Sequence, residues 1–386
     1  MDAPPPSSRR ATSQSTHLRD SEFWSQDQYV RAGEAIGATR TQIEAPVEVP
    51  MPYAMRRGHG IWRAEDYAGL KSREVRGPGF TLLRDVYLMS PGMVQVGDGR
   101  YVYDDQTRLT PWGLSRPHVL DLSVGARRRS AWPLAGPRIK RGILIGGPGH
   151  MVFGHQLIDY LPAFAMLDEG GLFEDWPLLL PSTTPAWVVP MIELFSSAKR
   201  KIKWFSAERQ KRTRVEKLCV PWVVRKPAFH PSVAGMFERV AAVASRIGSA
   251  ERYGPRVSIV RHDLSGKRQL TNSADVLTLL AEHGLRAVRP ETLRFAEQVR
   301  LFAGAEVVAG EAGSSLHGAV FGSPALATVE IRPDNYGVLG QPAIAVLKRQ
   351  TFTSVEGSSA GTGPSSGYSW TVDLETLEHR LCELGI

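Results

Sequence analysis

The chain has 386 residues, of which 42% are hydrophobic and 22% charged, an ordinary globular composition that excludes a wholly disordered chain, a coiled coil and a collagen-like repeat. At about 150 residues per domain, this length predicts two or more domains. Lys and Arg exceed Asp and Glu by a net charge of +8. Such a surplus points to an anionic partner: nucleic acid, an acidic lipid surface or a phosphorylated substrate.

The N-terminus and the two cysteines predict the compartment. No uninterrupted run of about 18 apolar residues occurs, so no transmembrane helix is predicted. The first residues contain no apolar segment of the kind that a secretory signal needs, and Cys219 and Cys382 cannot form a disulfide framework. We therefore expect a cytoplasmic protein in a reducing compartment, with a basic surface able to touch the inner membrane face.

The N-terminal part is predicted to begin as a tail and to continue as strands. Residues 1–45 are expected to be disordered or extended, because their start is rich in Pro, Ser, Thr and Arg and can bury almost nothing. Short apolar runs follow at 80–83, 86–89 and 101–103, broken by Gly, Pro and Asp. This pattern is typical of strands joined by turns.

From residue 141 the chain alternates between short apolar runs and amphipathic stretches. This alternation predicts a parallel α/β unit, with strands at 142–145, 177–180 and 218–220 and helices at 157–168 and 185–195. A second unit of the same kind begins near residue 256. Its predicted strands are 257–260, 285–288, 306–309 and 326–331, and its predicted helices are 272–284, 293–303 and one after the loop 310–315. The Gly/Ser-rich segment 356–367 is predicted to be mobile, and 374–384 to form a terminal helix.

These elements predict an α/β fold with two Rossmann-like domains that face each other across a cleft, after a β-rich N-terminal region. The predicted division is 1–45, 46–228, 229–350 and 351–386. In open α/β sheets, ligands bind outside the carboxyl ends of the strands. The residues that follow each strand are therefore the first candidates for function.

Arg261 directly follows the strand at 257–260, with His262, Asp263 and Lys267-Arg268 close behind it. Guanidinium groups at a strand end can hold a diphosphate in a bidentate manner, which an ammonium group cannot. The alternative is a set of solvated loop charges, since charged residues are mostly exposed.

The loop from Gly310 to Ser315 is the second candidate. A turn of small residues before a helix lets backbone N–H groups approach an anion. Gly and Ser also fill ordinary tight turns, and the loop has neither the spaced glycines of a dinucleotide fingerprint nor the lysine of a P-loop.

His155 and Asp159 are the third candidate. Four residues separate them, so on a helix they share one face. A carboxylate beside an imidazole makes an oriented base, because it stabilises the imidazolium that forms on proton uptake. A purely structural hydrogen bond between the two is the alternative.

The stretch from Lys199 to Arg214 is strongly basic. It could bind an acidic polymer or membrane headgroups. A solvated surface segment is the simpler interpretation, because most charge runs are exposed.

Taken in order, these segments resemble glycosyltransferase family 61, the inverting GT-B enzymes that include plant xylan transferases and bacterial capsular-polysaccharide proteins. The shared features are His-x-x-x-acid-x-Leu-Pro from His155, a strand followed by Arg261, Arg-x-x-x-Asn from Arg268, Phe-x-x-Gln-Val from Phe295, a Gly-rich loop, and a strand that ends in Glu330. The resemblance extends from residue 143 to 333 and is strongest after 257.

The resemblance implies roles for the matching residues. The first domain would hold the acceptor, with His155 and Asp159 as the base, and the second would hold the donor. The implied donor-binding residues are Arg261, Arg268, Asn272, Glu311, Gly313, Ser314, Ser315 and Glu330. No Asp-x-Asp triplet stands where a metal-dependent transferase would hold a metal, and Asp104-Asp105 lies in the β-rich region, so we expect no cofactor and no metal.

Two positions depart from the family pattern. Ala312 stands where the family often has His, and Gly318 stands where it often has Asn. Each is open to interpretation as a bacterial-branch variation, an altered donor preference or a loss of activity.

The expected function is sugar transfer in polysaccharide biosynthesis, such as that of a bacterial capsule. The expected partners are a nucleotide-sugar and a glycan or lipid-linked glycan acceptor, with no nucleic acid. Two alternatives remain: pyruvyl transfer from phosphoenolpyruvate by a similar scaffold, and a non-catalytic glycan-binding or assembly protein with a degenerate site. Nucleic-acid binding rests only on the high pI and the stretch 199–214.

Overall fold

The structure is a computed structural model. It describes residues 23–25, 39–56, 60–89, 93–95, 101–103, 136–147, 149–206, 212–224, 228–247, 253–261, 269–359 and 369–386. The predicted tail before residue 23, Asp104-Asp105, residues 262–268 and residues 360–368 lie outside this part of the chain. The predictions made for them, including the role of Arg268, stay predictions.

The described residues form strands in two large sheets and one small hairpin. The strands are β1 (Phe23–Ser25), β2 (Thr39–Gln42), β3 (Val47–Pro50), β4 (Ile61–Trp62), β5 (Ser72–Val75), β6 (Gly79–Met89), β7 (Met93–Gln95), β8 (Tyr101–Tyr103), β9 (Arg138–Leu144), β10 (Leu178–Pro181), β11 (Ile202–Phe205), β12 (Thr213–Pro221), β13 (Arg256–Ile259), β14 (Gln269–Leu270), β15 (Arg286–Val288), β16 (Val307–Glu311), β17 (Ala327–Pro333), β18 (Thr351–Ser359) and β19 (Ser369–Thr371).

Helices connect the strands of both sheets. Helix α1 has an α-helical first turn (Phe153–His155), a π-helical turn (Gln156–Tyr160) and an α-helical remainder (Leu161–Glu169). The other α-helices are α2 (Val188–Phe195), α3 (Val233–Ser245), α4 (Ser273–Glu282), α5 (Phe295–Ala303), α6 (Gly340–Lys348) and α7 (Leu374–Glu383). A 3-10 helix spans Ser314–Phe321.

The first sheet has a parallel half and an antiparallel half. Strands β11, β10, β9 and β12 lie side by side and parallel. The antiparallel strands β6 and β7 extend the sheet beyond β12. In the parallel half, the strand order reverses between β9 and β12, so the loop that leaves β9 begins at a switch point.

The second sheet places five parallel strands in the order β15, β13, β16, β17, β18. The chain passes from β13 to β15 on one side of β13 and then crosses to β16 on its other side, so the strand order reverses between β13 and β16. This is the doubly wound order in which a crevice opens at the carboxyl ends of the two strands at the reversal. Strands β4 and β19 pair with β18 at the far edge.

One hydrophobic cluster joins the helices of the two sheets. It includes Leu157 and Phe164 of α1, Phe237 of α3, and Phe302 of α5 with Val320 of the 3-10 helix, all nearly inaccessible to solvent. Helices α4 and α7 cover the other face of the second sheet. The prediction of an α/β fold with parallel sheets is confirmed, and the arrangement as two facing GT-B lobes with the predicted boundaries stays a prediction.

Several elements differ from those expected. The runs at 80–83 and 86–89 belong to the single strand β6. Strand β18 continues to Ser359, so the first residues of the Gly/Ser-rich segment predicted to be mobile lie in the sheet. Helix α3 was not predicted. Strand β11 was not predicted either, because lysines alternate with its apolar residues and hide the strand pattern.

The basic stretch is not uniformly a solvated surface. Lys203 and Trp204 are partly or fully exposed, but the side chain of Arg200 is only 4% exposed and forms an ion pair with Asp168, whose side chain is completely buried. Arg200 therefore belongs to the core, and the expectation of a continuous charged surface is wrong at this residue.

Two further observations concern membranes and thiols. Among the described helices, none combines the length and the apolar character that crossing a bilayer requires. Cys219 and Cys382 are both free thiols. Burial raises the pKa of the Cys219 thiol well above its usual range, so this side chain packs as an uncharged residue of the core.

Candidate active site

The first part of the site is the start of helix α1. Nδ1 of His155 lies 2.6 Å from Oδ2 of Asp159. The imidazole is 33% exposed and the carboxylate only 3%. In a neutral imidazole, a carboxylate that only accepts hydrogen bonds places the proton on Nδ1 and leaves the lone pair on Nε2. The pair thus presents a basic nitrogen with a buried acid behind it.

A π-helical turn holds this pair in place. The turn covers Gln156–Tyr160 and includes Asp159. Single π-helical turns within α-helices are rare and are frequent at functional sites. Gln156 is completely buried, and its Nε2 donates to the carbonyl oxygen of His150 at 2.7 Å. The turn is therefore tied to the loop that precedes the helix.

That loop leaves β9 and runs past the imidazole. Gly149 has a φ of 85°, and a Cβ placed on it would lie 2.6 Å from Cδ2 of His155. Glycine is therefore required both by the backbone conformation and by the close approach. Nε2 of His150 lies 2.9 Å from Oγ1 of Thr183, just after β10. Sequence reasoning did not select His150, although its position after a strand and a Gly-rich turn was an available signal.

The helix that carries His155 packs directly on the Gly-rich turn of the second unit. A Cβ on Gly154 would lie 2.7 Å from Oγ of Ser314 and 2.8 Å from Cδ2 of His317. On its other side, His317 faces Gly340, where a Cβ would lie 2.6 Å from Cε1 of the imidazole. Two glycines thus create the space for a buried histidine, a feature that single-sequence patterns do not reveal.

The turn at Gly313 needs glycine for its backbone. Its φ of 158° and ψ of −176° fall in a region that is essentially restricted to glycine. Among the residues that the structure describes, no heavy atom outside its immediate neighbours lies within 4 Å of a Cβ placed there, so conformation rather than space is the constraint. Ser314 and Ser315 then begin the 3-10 helix.

Arg261 and Glu311 lie at the switch point of the second sheet. Arg261 comes just after β13, and Glu311 ends the neighbouring strand β16. Nη1 of Arg261 is 4.0 Å from Oε2 of Glu311, and their side chains are 20% and 16% exposed. A bound diphosphate would compete with Glu311 for this guanidinium group.

Two predicted donor residues are engaged elsewhere. Nδ2 of Asn272 donates to the carbonyl oxygen of Val372 at 2.8 Å, and its Oδ1 accepts from the N–H of Val372 at 3.3 Å. Glu330 lies inside β17, is 2% exposed, and is 3.7 Å from the buried guanidinium of Arg332. The structure gives both side chains structural partners, and their contact with a donor stays a prediction.

The departures at Gly318 and Ala312 have different structural settings. A Cβ on Gly318 would lie 2.1 Å from Cε2 of Phe302, so an Asn side chain has no room there and glycine is a packing requirement. Ala312 is buried, and its N–H donates to the carbonyl oxygen of Ile331 at 2.8 Å.

The side chains of the described residues do not form a metal-binding site. No group of three or more His, Cys, Asp or Glu side chains is placed to hold a metal ion there. The expectation of a metal-independent reaction stays a prediction.

Comparison with protein families gives a match. Residues 153–329 match the family described as Glycosyltransferase 61. The match covers just under half of the chain, begins at the first residue of α1 and ends inside β17, one residue before Glu330. No curated protein matches the chain.

Proposed function

We propose that the chain is an inverting glycosyltransferase, because residues 153–329 match the family described as Glycosyltransferase 61. The donor would be a nucleotide-sugar, and the acceptor a hydroxyl group of a glycan or lipid-linked glycan. Polysaccharide biosynthesis, such as that of a bacterial capsule, is the proposed role.

One observation carries the proposal. Arg261 follows β13 and Glu311 ends β16, the two strands at the switch point of a doubly wound sheet, where such sheets bind ligands. The neighbouring turn at Ser314 touches the helix of His155 through Gly154. This contact supports a reaction centre between a cation and a base that belong to different sheets.

The proposed reaction is a single displacement at the anomeric carbon. The acceptor oxygen forms a bond to that carbon as the bond to the donor diphosphate breaks. Nε2 of His155 takes the proton of the hydroxyl group, and Asp159 stabilises the resulting imidazolium through Nδ1–H. The displaced nucleoside diphosphate keeps the bonding electron pair, and attack from the opposite face gives inversion.

The leaving diphosphate needs positive charge that is already in place. Arg261 would supply a guanidinium group, and backbone N–H groups from Gly313 to Ser315 would add fixed dipoles. Preorganised groups of this kind stabilise developing charge at little reorganisation cost. Arg268, Asn272 and Glu330 keep their proposed donor roles from the resemblance alone.

The first test is a panel of UDP-, GDP- and CMP-sugars scored by thermal shift, followed by a transfer assay with the best donor. We expect at least one nucleotide-sugar to raise the melting temperature. Stabilisation by phosphoenolpyruvate instead would favour pyruvyl transfer, and the absence of any nucleotide-sugar effect would favour a degenerate, non-catalytic site.

Metal independence is tested in the same assay. We expect the transfer rate to be unchanged by EDTA, because Arg261 and backbone N–H groups are proposed to do the work of a metal on the diphosphate. Added Mg²⁺ is the control and should not stimulate the EDTA-treated enzyme. Loss of transfer in EDTA, restored by Mg²⁺, would contradict this proposal.

Arg261→Ala is expected to lower donor affinity and turnover together. A guanidinium group on a diphosphate acts in both the ground state and the transition state, and hydrogen bonds to charged groups contribute about 1.5–3 kcal/mol. We therefore expect nucleotide affinity to fall by roughly tenfold or more. Calorimetric titration of the variant with the best nucleotide measures this change.

The matched control is Arg246→Ala at the end of α3. It removes the same charge from an exposed position that is not among the proposed donor-binding residues. If both variants bind nucleotide as the unaltered protein does, Arg261 is not part of the donor site.

A further inference from the structure

Trp187 is an exposed aromatic residue near the carboxyl edge of the first sheet. It lies in the connection from β10 to α2 and is 38% exposed, whereas its neighbour Val188, the first residue of α2, is completely buried. Ligands of parallel sheets bind outside the carboxyl ends of the strands. An exposed indole at this edge is therefore a candidate contact for a substrate, and none of the roles proposed for the reaction involves it.

The indole packs against the first turn of the helix that carries His155. Its ring centre lies 5.7 Å from that of Phe153, two residues before His155. The ring of Phe153 lies 6.3 Å from that of Phe295 in α5. This row of rings supports the indole in the absence of a ligand, so ordering it on binding costs little.

A hydrogen bond connects the same segment to the loop beside the base. Oγ1 of Thr183 lies 2.9 Å from Nε2 of His150. The residue before His150 is Gly149, whose backbone closely approaches the imidazole of His155. The connection from β10 thus contacts the loop before α1 through Thr183 and the first turn of α1 through Trp187. Both contacts are at the end of α1 where the base lies.

The chemistry of these segments suits a sugar ring. No Lys, Arg, Asp or Glu occurs in 149–154 or in 181–192. Ser182 and Thr183 are exposed, and their hydroxyl groups both donate and accept hydrogen bonds, as the hydroxyl groups of a sugar do. Aromatic side chains offer a large, rigid apolar surface, on which the apolar face of a sugar ring can stack.

A lipid chain is the alternative occupant. Met151 and Val152 are also exposed and precede Phe153, so this end of α1 has aliphatic as well as aromatic surface. The hydroxyl groups of Ser182 and Thr183 favour the sugar, because covering polar groups with a chain that cannot hydrogen-bond costs free energy.

We propose that Trp187 forms an acceptor subsite, where one sugar ring of a glycan stacks on the indole while another sugar of the same glycan presents its hydroxyl group to His155. This inference rests on the proposed sugar transfer. It specifies what the enzyme recognises in the acceptor, which is a glycan of two or more sugars. Trp187 is a specificity residue in this arrangement and takes no part in the proton transfer.

The first measurement is retention of the full chain on an array of immobilised neutral and acidic oligosaccharides, which requires neither donor nor turnover. We expect at least one glycan of two or more sugars to be bound, and Trp187→Ala to weaken that binding about fivefold or more, the effect of losing an aromatic contact. Trp187→Phe should retain most of the affinity. Trp187→Leu keeps apolar contact with Phe153 but lacks a flat ring, so it should bind as weakly as Trp187→Ala.

The second measurement is transfer to the bound glycan from the best nucleotide-sugar. Trp187→Ala should raise the acceptor KM about fivefold or more and change kcat and nucleotide affinity less than about twofold, because the indole is proposed to contact only the acceptor. The control is Tyr53→Ala, which removes a 45% exposed aromatic residue from outside the matched family region and should change none of these quantities.

The outcomes separate this inference from the proposed function. If no nucleotide-sugar binds, the proposed function fails. If donor binding and transfer are normal but Trp187→Ala leaves the acceptor KM unchanged, the subsite alone is wrong. Retention of no glycan on the array, or equal glycan binding by Trp187→Leu and the unaltered protein, would also overturn it. Flotation with vesicles of equal parts POPC and POPG tests the alternative, and vesicle binding that Trp187→Ala abolishes would assign the indole to a lipid instead.

Discussion

His155→Ala is expected to lower kcat by about two orders of magnitude or more, the usual effect of removing a general base. Its Nδ1 is bound to Asp159 at 2.6 Å, so only Nε2 can receive the proton of an acceptor hydroxyl group. Donor affinity should stay near that of the unaltered enzyme, because the imidazole is proposed to contact the acceptor. Steady-state transfer kinetics and nucleotide titration measure the two quantities separately.

The chain contains a matched control for this variant. His379 on α7 also faces an acid four residues later, with 3.6 Å between its Nε2 and Oε1 of Glu383, but its side chain is 73% exposed. His379→Ala removes the same kind of helical pair from α7, a helix that carries none of the proposed site residues. We expect it to leave kcat unchanged.

The pH profile separates a base from a positioning residue. Protonation of a base makes kcat/KM fall toward acid pH, and this limb should disappear in the residual activity of His155→Ala. Asp159→Asn should keep the limb and lose part of the rate, because the imidazole loses its orienting acid. Near-normal turnover in His155→Ala would assign the base elsewhere, with Asp159 and Glu311 as the next candidates.

The sequence was sufficient to predict the strand ends. Arg261 and the turn at Gly313 were selected because short apolar runs mark buried strands, and parallel strands present their following residues at one edge. The helical spacing of His155 and Asp159 likewise predicted a contact that the structure contains. These features are local, so a single chain is enough to recognise them.

Features that depend on distant contacts were not predictable. The space for His317 comes from Gly154 and Gly340, which have no shared pattern in the sequence. Glu330 matched a family position. Its burial beside Arg332 depends on the pairing of β17 with β16 and β18, which the local sequence does not show. Gly318 was open to interpretation as a lost functional group, and only its contact with Phe302 identifies it as a packing residue.

The basic stretch illustrates the same limit. Three lysines and an arginine near residue 200 form a charge run, and nothing local distinguishes Arg200 from its neighbours. In the structure its Nε donates to Oδ1 of Asp168 at 2.7 Å, and its Nη1 donates to the carbonyl oxygen of Phe173 at 2.9 Å. Oδ2 of Asp168 accepts the N–H of Ser197 at 2.5 Å.

This network predicts the largest effect on stability. Asp168→Ala leaves the Arg200 guanidinium buried without its counter-ion and removes the acceptor for Ser197 N–H. Removing one partner of a buried ion pair costs about 3–5 kcal/mol, and we expect the free energy of unfolding in urea to fall by that amount. Because Asp168 closes the helix that carries His155, the variant should also lose transfer activity at lower temperature.

The control and the paired variant separate charge burial from packing. Asp175 forms an ion pair with Arg141 on the surface, where both side chains are about half exposed or more, and Asp175→Ala should cost less than about 1 kcal/mol. Asp168→Leu combined with Arg200→Met removes both buried charges, so it should be more stable than Asp168→Ala alone, since apolar replacement of a buried pair is often neutral. Equal losses in Asp168→Ala and Asp175→Ala would show that the interior pair stabilises the fold no more than the surface pair does.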